Sequence, residues 1–114
     1  MNIIKAVGII NFSPEQVCGF IMDSSYKWDD MLEESRVLYD LGEDILVMYE
    51  RFKFPWPVSN RDFVYGLKVL RRDDGFFIVT KSIDVPGPEV RATVRGEIVL
   101  SGFMLKKMES GKTE

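Results

Sequence analysis

The chain has 114 residues, 46% hydrophobic and 29% charged, with a formal net charge of -3. It is too short for two ordinary domains and too apolar for a disordered chain, so one globular domain is expected. The mild acidity argues against nucleic acid as a partner, because a phosphate-binding face needs clustered Lys and Arg.

Cys18 is the only cysteine, which excludes an internal disulfide framework and points to a reducing compartment. No apolar run approaches the roughly 20 residues needed to cross a bilayer. The opening MNIIKAVGII has neither the layout of a signal peptide nor the glycine that myristoylation requires. A cytoplasmic location is the expectation. Enzymatic chemistry fares poorly. There is no histidine to serve as general base or metal ligand. Cys18 has no basic neighbour to activate it, and no phosphate-cradling loop or nucleophile elbow occurs. Asp29-Asp30 and Glu33-Glu34 are sequence neighbours that cannot all face one cleft. A non-enzyme without metal or cofactor is expected.

Along the chain, Ile3 to Ile10 is rich in β-branched residues and reads as a strand. A helix follows to about Asp23. Ser13 is suited to the N-cap, Pro14 to the first turn and Gln16 to a capping box, while Phe12 and Val17 occupy the positions of a hydrophobic staple. Val17, Phe20 and Ile21 form its apolar face. A second short helix is predicted for SYKWDDML, with Trp28 and Met31 inward. From Arg36 the period changes to two, and two strands meet at Gly42. The second sets Leu46, Met48, Glu50 and Phe52 against Ile45, Val47, Tyr49 and Arg51. Next comes a hairpin with Phe63, Tyr65, Leu67 and Val69 on one face and Asp74-Gly75 as its turn signal. Pro86 and Pro88 keep VPGPE out of any ladder, and RATVRGEIVLSGFMLKKME returns to strand. Two short helices amid a meander of strands make the fold class α+β with a curved antiparallel sheet.

The segment FPWPVSNRDFVY, Phe54 to Tyr65, resembles the strand–corner–strand motif of StAR-related lipid-transfer (START) domains, in which a Pro-containing turn leads into Arg-Asp-(Phe/Tyr)-Val. With Ser59-Asn60 ahead of Arg61-Asp62 it looks most like the phosphatidylcholine-transfer branch. Trp28 and VRATVRGE are similar at their places, and the resemblance runs from Ile3 to about Lys112. Asp40 stands where the sterol-binding branch has an arginine, which weakens a sterol reading.

The resemblance implies a helix-grip fold, with residues 1–114 a partial domain: START domains have elements before Ile3 and a covering C-terminal helix after the last strand here. It implies binding of one amphipathic lipid, most plausibly a glycerophospholipid, in an apolar tunnel, and its transfer between membranes. Burying an acyl chain of roughly 15 methylenes is worth about 12 kcal/mol at about 0.8 each, with no catalytic group needed. Ile45, Val47, Tyr49, Phe63, Tyr65, Leu67, Phe77 and Val79 from the alternating strands are candidates for the lining or for ordinary core. Arg61 either contacts a lipid phosphate or pairs locally while Asp62 caps the turn. Arg95, beside the second loop with Arg91, is a headgroup candidate or part of a solvated face. Trp56 either dips into a membrane interface or packs in the elbow. Lys27 and Asp40 could pair across helix and strand or stay apart.

The implied partners are a lipid and, transiently, a membrane surface. The alternative is a regulatory module that self-associates through an exposed sheet edge as a homodimer. An aromatic-polyketide-type enzyme on the same architecture is the third reading. Without the covering helix, an open edge and a bare apolar face are expected to favour self-association over a stable, lipid-loaded monomer.

Overall fold

The computed structural model describes residues 4–23 and 30–114. Its elements in chain order are α1 (Pro14–Met22), β1 (Leu32–Gly42), β2 (Ile45–Phe52), β3 (Asn60–Arg72), β4 (Gly75–Ser82), β5 (Thr93–Arg95) and β6 (Ser101–Lys106).

Helix α1 starts where the sequence signals a start. The Gln16 backbone N–H donates to Ser13 Oγ at 3.3 Å, and the Ser13 N–H donates to Gln16 Oε1 at 3.0 Å, closing the capping box. Pro14 fills the first turn, where a missing N–H removes no intrahelical bond. Val17 and Cys18 are buried, but Phe20 is exposed, so the apolar face is narrower than its spacing predicts.

The strands form one six-stranded sheet in the order β1-β2-β3-β4-β6, with antiparallel neighbours along that path. Short β5 pairs parallel with β3 through Asn60–Asp62, on the stretch before β3 reaches β4. Glu43 and Asp44 link β1 to β2 at φ 53° and 62°. Positive φ at both central residues is the hairpin geometry that matches strand twist. The Asp44 carboxylate fastens this turn to β3 by accepting from Arg71 Nε at 2.8 Å and Nη2 at 3.1 Å.

Several elements differ from the sequence expectation. Residues 4–9 form no strand, and only Ile10 pairs, with Thr113. β-Branched residues favour extended backbone, but a strand also needs a neighbour to complete its ladder. Asp30 and Met31 lie in a turn and Met31 is exposed, whereas the rest of the predicted second helix, with Trp28 and Lys27, falls outside the described residues. The β3–β4 turn residues are Asp73 and Asp74, because Arg72 already pairs with Gly75. Gly75 serves a different need: a Cβ there would overlap the Leu105 carbonyl of β6. The last predicted strand is split into β5 and β6 by residues 96–100. Beyond β6, Glu114 and Lys106 exchange backbone hydrogen bonds of 2.9 Å in both directions, and Thr113 does so with Ile10 at 2.8 and 3.0 Å.

The sheet is covered on both faces. On the inner face, Val17 and Cys18 of α1 join Met48, Tyr65, Leu67, Val69, Ile78 and Leu105 in the larger core. On the outer face, Val47, Tyr49 and Val64 pack with Leu38 and Ile83. Gly87, in the irregular segment after β4, lies so close that a Cβ would overlap Val64.

Candidate functional site

Beyond the end of α1, the inner face opens into a cavity of about 310 Å³. Ile21 and Met22 of the helix, Leu46, Met48 and Phe52 of β2, and Phe63, Tyr65 and Leu67 of β3 form most of its apolar wall, and Ile78 and Phe103 continue it. Alternation along each strand produces that wall. Met48 lies opposite Tyr65, Glu50 opposite Phe63, and Phe52 opposite Arg61, so these side chains share one face. The Phe52 and Phe63 rings meet edge to face with centroids 5.9 Å apart.

Two acids belong to the lining, Glu50 and Asp23. Tyr65 OH donates a hydrogen bond to Glu50 Oε1. Burial, with the Glu50 carboxylate beside it, pushes the Tyr65 phenol well above its ordinary range. Gly96 supports the same corner from behind, since a Cβ there would overlap the Phe63 ring.

The outer face carries a polar network. Asp62, 2% exposed, accepts from Tyr49 OH at 2.8 Å and from Arg95 at 2.6 Å (Nε) and 3.3 Å (Nη2). Arg95 Nη2 also donates to the Pro88 carbonyl at 2.5 Å, tying the segment after β4 to β3. The Arg95 and Arg36 guanidinium groups lie 5.9 and 5.7 Å from the Tyr49 ring centroid. Further along, Arg51 donates to Glu33 at 2.9 Å and to Glu34 at 2.8 Å. Burial and the Asp62 hydrogen bond hold the Tyr49 phenol above its ordinary value.

The candidate residues therefore divide between the two faces. Phe63, Tyr65 and Leu67 line the cavity. Tyr49 and Val47 lie on the outer face, and Phe77 and Val79 follow the outer parity of β4, opposite Met104 and Gly102. Ile45 shares that parity and is half-buried. The inner positions of β2 and β4 are instead Leu46, Met48, Glu50 and Phe52, and Ile78 and Thr80. A register shift of one residue exchanges the faces of a whole strand, and the loop between β2 and β3 sets that register.

The Arg61-Asp62 pair is split by the same alternation. Asp62 caps no turn; it is the buried centre of the outer network. Asn60 performs the corner role, its Oδ1 accepting from the Phe54 N–H at 3.3 Å. Arg61 is exposed and forms no ion pair among the described residues, so it does not hold the corner by local pairing. It follows Phe63 along the inner face, opposite Phe52. Arg95 is engaged by Asp62 on the outer face, and Arg91 is exposed. Trp56 is 92% exposed in the β2–β3 loop, which excludes a packed elbow. Asp40 accepts from the Gly42 N–H at 2.9 Å, a local turn contact. Sequence reasoning missed Glu50 as a site residue, although a lone acid within the alternation Leu46, Met48, Glu50, Phe52 was the signal available. Among the described residues no group of His, Cys, Asp and Glu is arranged to hold a metal, and no helix is long and apolar enough to cross a membrane.

The START domain family model matches residues 1–114. Phosphatidylcholine transfer protein from Rattus norvegicus is 36% identical over 102 residues, covering 80% of this chain and 45% of the relative. The Mus musculus protein of the same name is 34% identical over 101 residues, with the same coverage. The chain thus spans less than half the length of these curated relatives. Among solved structures, human StAR-related lipid transfer protein 5 superposes with a TM-score of 0.83 at 22% identity, over 93% of this chain and 54% of that one. At that identity the likeness is one of fold, and it matches the helix-grip arrangement of sheet and helix described above.

Proposed function

Because the chain belongs to the START domain family, we propose that it contributes the lipid-binding wall of a carrier that moves one amphipathic lipid between membranes. The observation that carries this reading is the inner-face cavity, lined by apolar side chains from α1 and from β1 to β4. A fully packed core would leave no such space, and its volume lies within the roughly 300–1,000 Å³ range of small-molecule sites. The names of the rat and mouse relatives favour a glycerophospholipid.

Acyl chain burial supplies the affinity, through Phe63, Tyr65 and Leu67 together with Leu46, Met48 and Ile78. Arg61, on the same face beyond Phe63, is placed to meet a headgroup phosphate, which a guanidinium fork suits. Trp56 is the membrane-docking residue, its exposed indole suited to the interface between water and lipid. The reading requires no catalytic step, and it puts the protein in the cytoplasm, transiently at membrane surfaces.

Native mass spectrometry of protein purified from cells tests the proposal. One bound glycerophospholipid per chain is expected; a bare dimer would favour the self-associating module instead. Arg61→Ala is expected to leave stability within about 0.5 kcal/mol of the parent and to weaken the retention of phosphate-bearing lipids over that of diacylglycerol. An equal loss for both would remove the phosphate role.

A further inference from the structure

The outer face of the sheet is covered over only part of its area. Around Asp62 the segment after β4 lies on it, with Gly87 against Val64 and Ile83 packed with Val47, Tyr49 and Val64. Toward the β3–β4 turn the same face is open, and register fixes what it presents. Lys68 is opposite Val79, Leu70 opposite Phe77, and Arg72 opposite Gly75. On the other side of β4, Val79 is opposite Gly102, Phe77 opposite Met104, and Gly75 opposite Lys106. Phe77 and Val79 thus make an apolar floor along β4, half-buried, with Leu70 on one side and Met104, 61% exposed, on the other. Lys68 and Arg72 border this floor on β3 and Lys106 borders it on β6, while Lys81, opposite Gly66, stands at its end. All four cations are exposed, and none forms an ion pair among the described residues. The Arg72 guanidinium lies 5.0 Å from the Phe77 ring centroid. No outer position of this stretch holds Asp or Glu. The acids at its rim are Asp73 and Asp74 in the turn, and Glu114, whose backbone is hydrogen-bonded to Lys106. In a chain of net charge -3, such a face is a segregation of positive charge.

We infer that this face seats a short amphipathic helix with acidic flanks, supplied by a partner protein. β3 and β6 lie two strand spacings apart, about 10 Å, which matches the width of a helix, about 10 Å. A helix lying along β4 sets its apolar stripe on Phe77 and Val79. Its carboxylates then reach Lys68 and Arg72 on one flank and Lys106 on the other. From the Lys68 row to the Arg72 row is about 13 Å, room for about nine helical residues. Gly102, opposite Val79, keeps the floor low on its side. Charge excludes a second copy of this chain docking face to face, because four cations would meet four. A flat anionic bilayer fits less well. Ile83 stands over the Gly66 row, 3.5 Å from where a Gly66 Cβ would lie, and Gly87 follows over Val64. That ridge holds a planar surface off the floor, whereas a helix lies alongside it. The seat is on the side of the sheet opposite the cavity, so it does not depend on lipid being carried.

The test uses the purified chain and two labelled synthetic peptides of about 15 residues, long enough to hold a helix. Both carry leucine at i, i+3, i+4 and i+7; one has Glu at the flanking positions and its twin has Lys. Fluorescence anisotropy is expected to show saturable binding of the acidic peptide, weakened by salt, and none of the twin. A zero-length carboxyl-to-amine crosslinker should then join the acidic peptide to Lys68, Lys81 or Lys106 rather than to Lys5, Lys53 or Lys112. The double variant Lys68→Glu, Lys81→Glu should bind the acidic peptide about tenfold more weakly, two attractive charges having become repulsive. Should that variant fail to fold, the twin peptide and the crosslinks on the parent decide the question. Equal binding of both peptides, crosslinks away from this face, or no binding at all overturns the inference. So does protection of the same lysines from amine labelling by vesicles of phosphatidylserine and phosphatidylcholine but not by the acidic peptide, which would make the face a membrane contact.

Discussion

Asp62 shows how far a single carboxylate reaches in this molecule. It receives hydrogen bonds from β2 through Tyr49 and from β5 through Arg95, and Arg95 in turn holds the Pro88 carbonyl. Truncating one member of such a pair leaves the other without its partner, and the Asp62 side is almost fully buried. Because the Arg95 side chain is 40% exposed, water offsets part of the loss. Asp62→Ala is expected to cost about 2 kcal/mol, read as a lowered urea midpoint with an unchanged slope. Tyr65 makes a second residue-scale prediction. Its folded-state pKa is raised, chiefly by burial and secondarily by Glu50, so the folded state holds the phenolic proton more tightly than the unfolded chain. This contribution is fully present below the unfolded value of about 10 and is lost as pH rises above it. Melting temperature should therefore fall between about pH 9.5 and 11, and more steeply for the parent than for Tyr65→Phe. Parallel profiles would remove Tyr65 as the cause.

At the scale of elements, the cavity depends on how closely backbones approach one another. Gly96, just after β5, stands against the Phe63 ring, and its N–H donates to the Asp62 carbonyl at 2.8 Å. Gly96→Ala must displace either that ring or β5. The expected cost is about 1–3 kcal/mol, with Phe63 driven toward the cavity and lipid capacity reduced. A crystal structure of the variant with Phe63 unmoved would show that β5 yields instead. The cap of α1 behaves more simply. Ser13→Ala should cost about 1 kcal/mol, measured by denaturant melts, without altering lipid preference, since Ser13 lies at the opposite end of the helix from Ile21 and Met22.

For the whole molecule, exposed apolar surface is the outstanding feature. Trp56 and Val58 are exposed in the β2–β3 loop, and Leu100, Phe103 and Met104 are exposed at and just before β6, which ends the sheet order. A groove of about 420 Å³ beside α1 is lined by Ile10, Phe12, Val17 and Phe20. Isolated exposed apolar residues are ordinary, but continuous ones mark contact surfaces. Trp56→Ala is expected to slow lipid transfer between vesicles while leaving equilibrium loading unchanged. With Trp28 removed, emission from Trp56 should shift to the blue on vesicles; an unshifted spectrum would exclude docking. The β6 edge predicts concentration-dependent association of these 114 residues in sedimentation experiments, which a monodisperse monomer would contradict.

Much of this fold is legible in the chain because its signals are local. Ser13, Pro14 and Gln16 define the start of α1 within four residues, and period-two alternation marks β2, β3 and β4 without knowledge of their neighbours. The Phe54–Tyr65 motif carries the family. Local signals do not say which side of a strand faces the helix, so Tyr49, Phe77 and Val79 could not be separated from Met48 and Ile78. That choice rests on the register across the β2–β3 loop and on where α1 packs. Tertiary structure likewise decided the role of Asp62, whose partners come from sites 13 and 33 residues away. It also decided that residues 4–9 form no strand, because extended backbone becomes sheet only where a second strand completes its hydrogen bonds. Side-chain chemistry is written residue by residue, whereas facing and pairing are properties of two segments meeting, and only the folded chain brings them together.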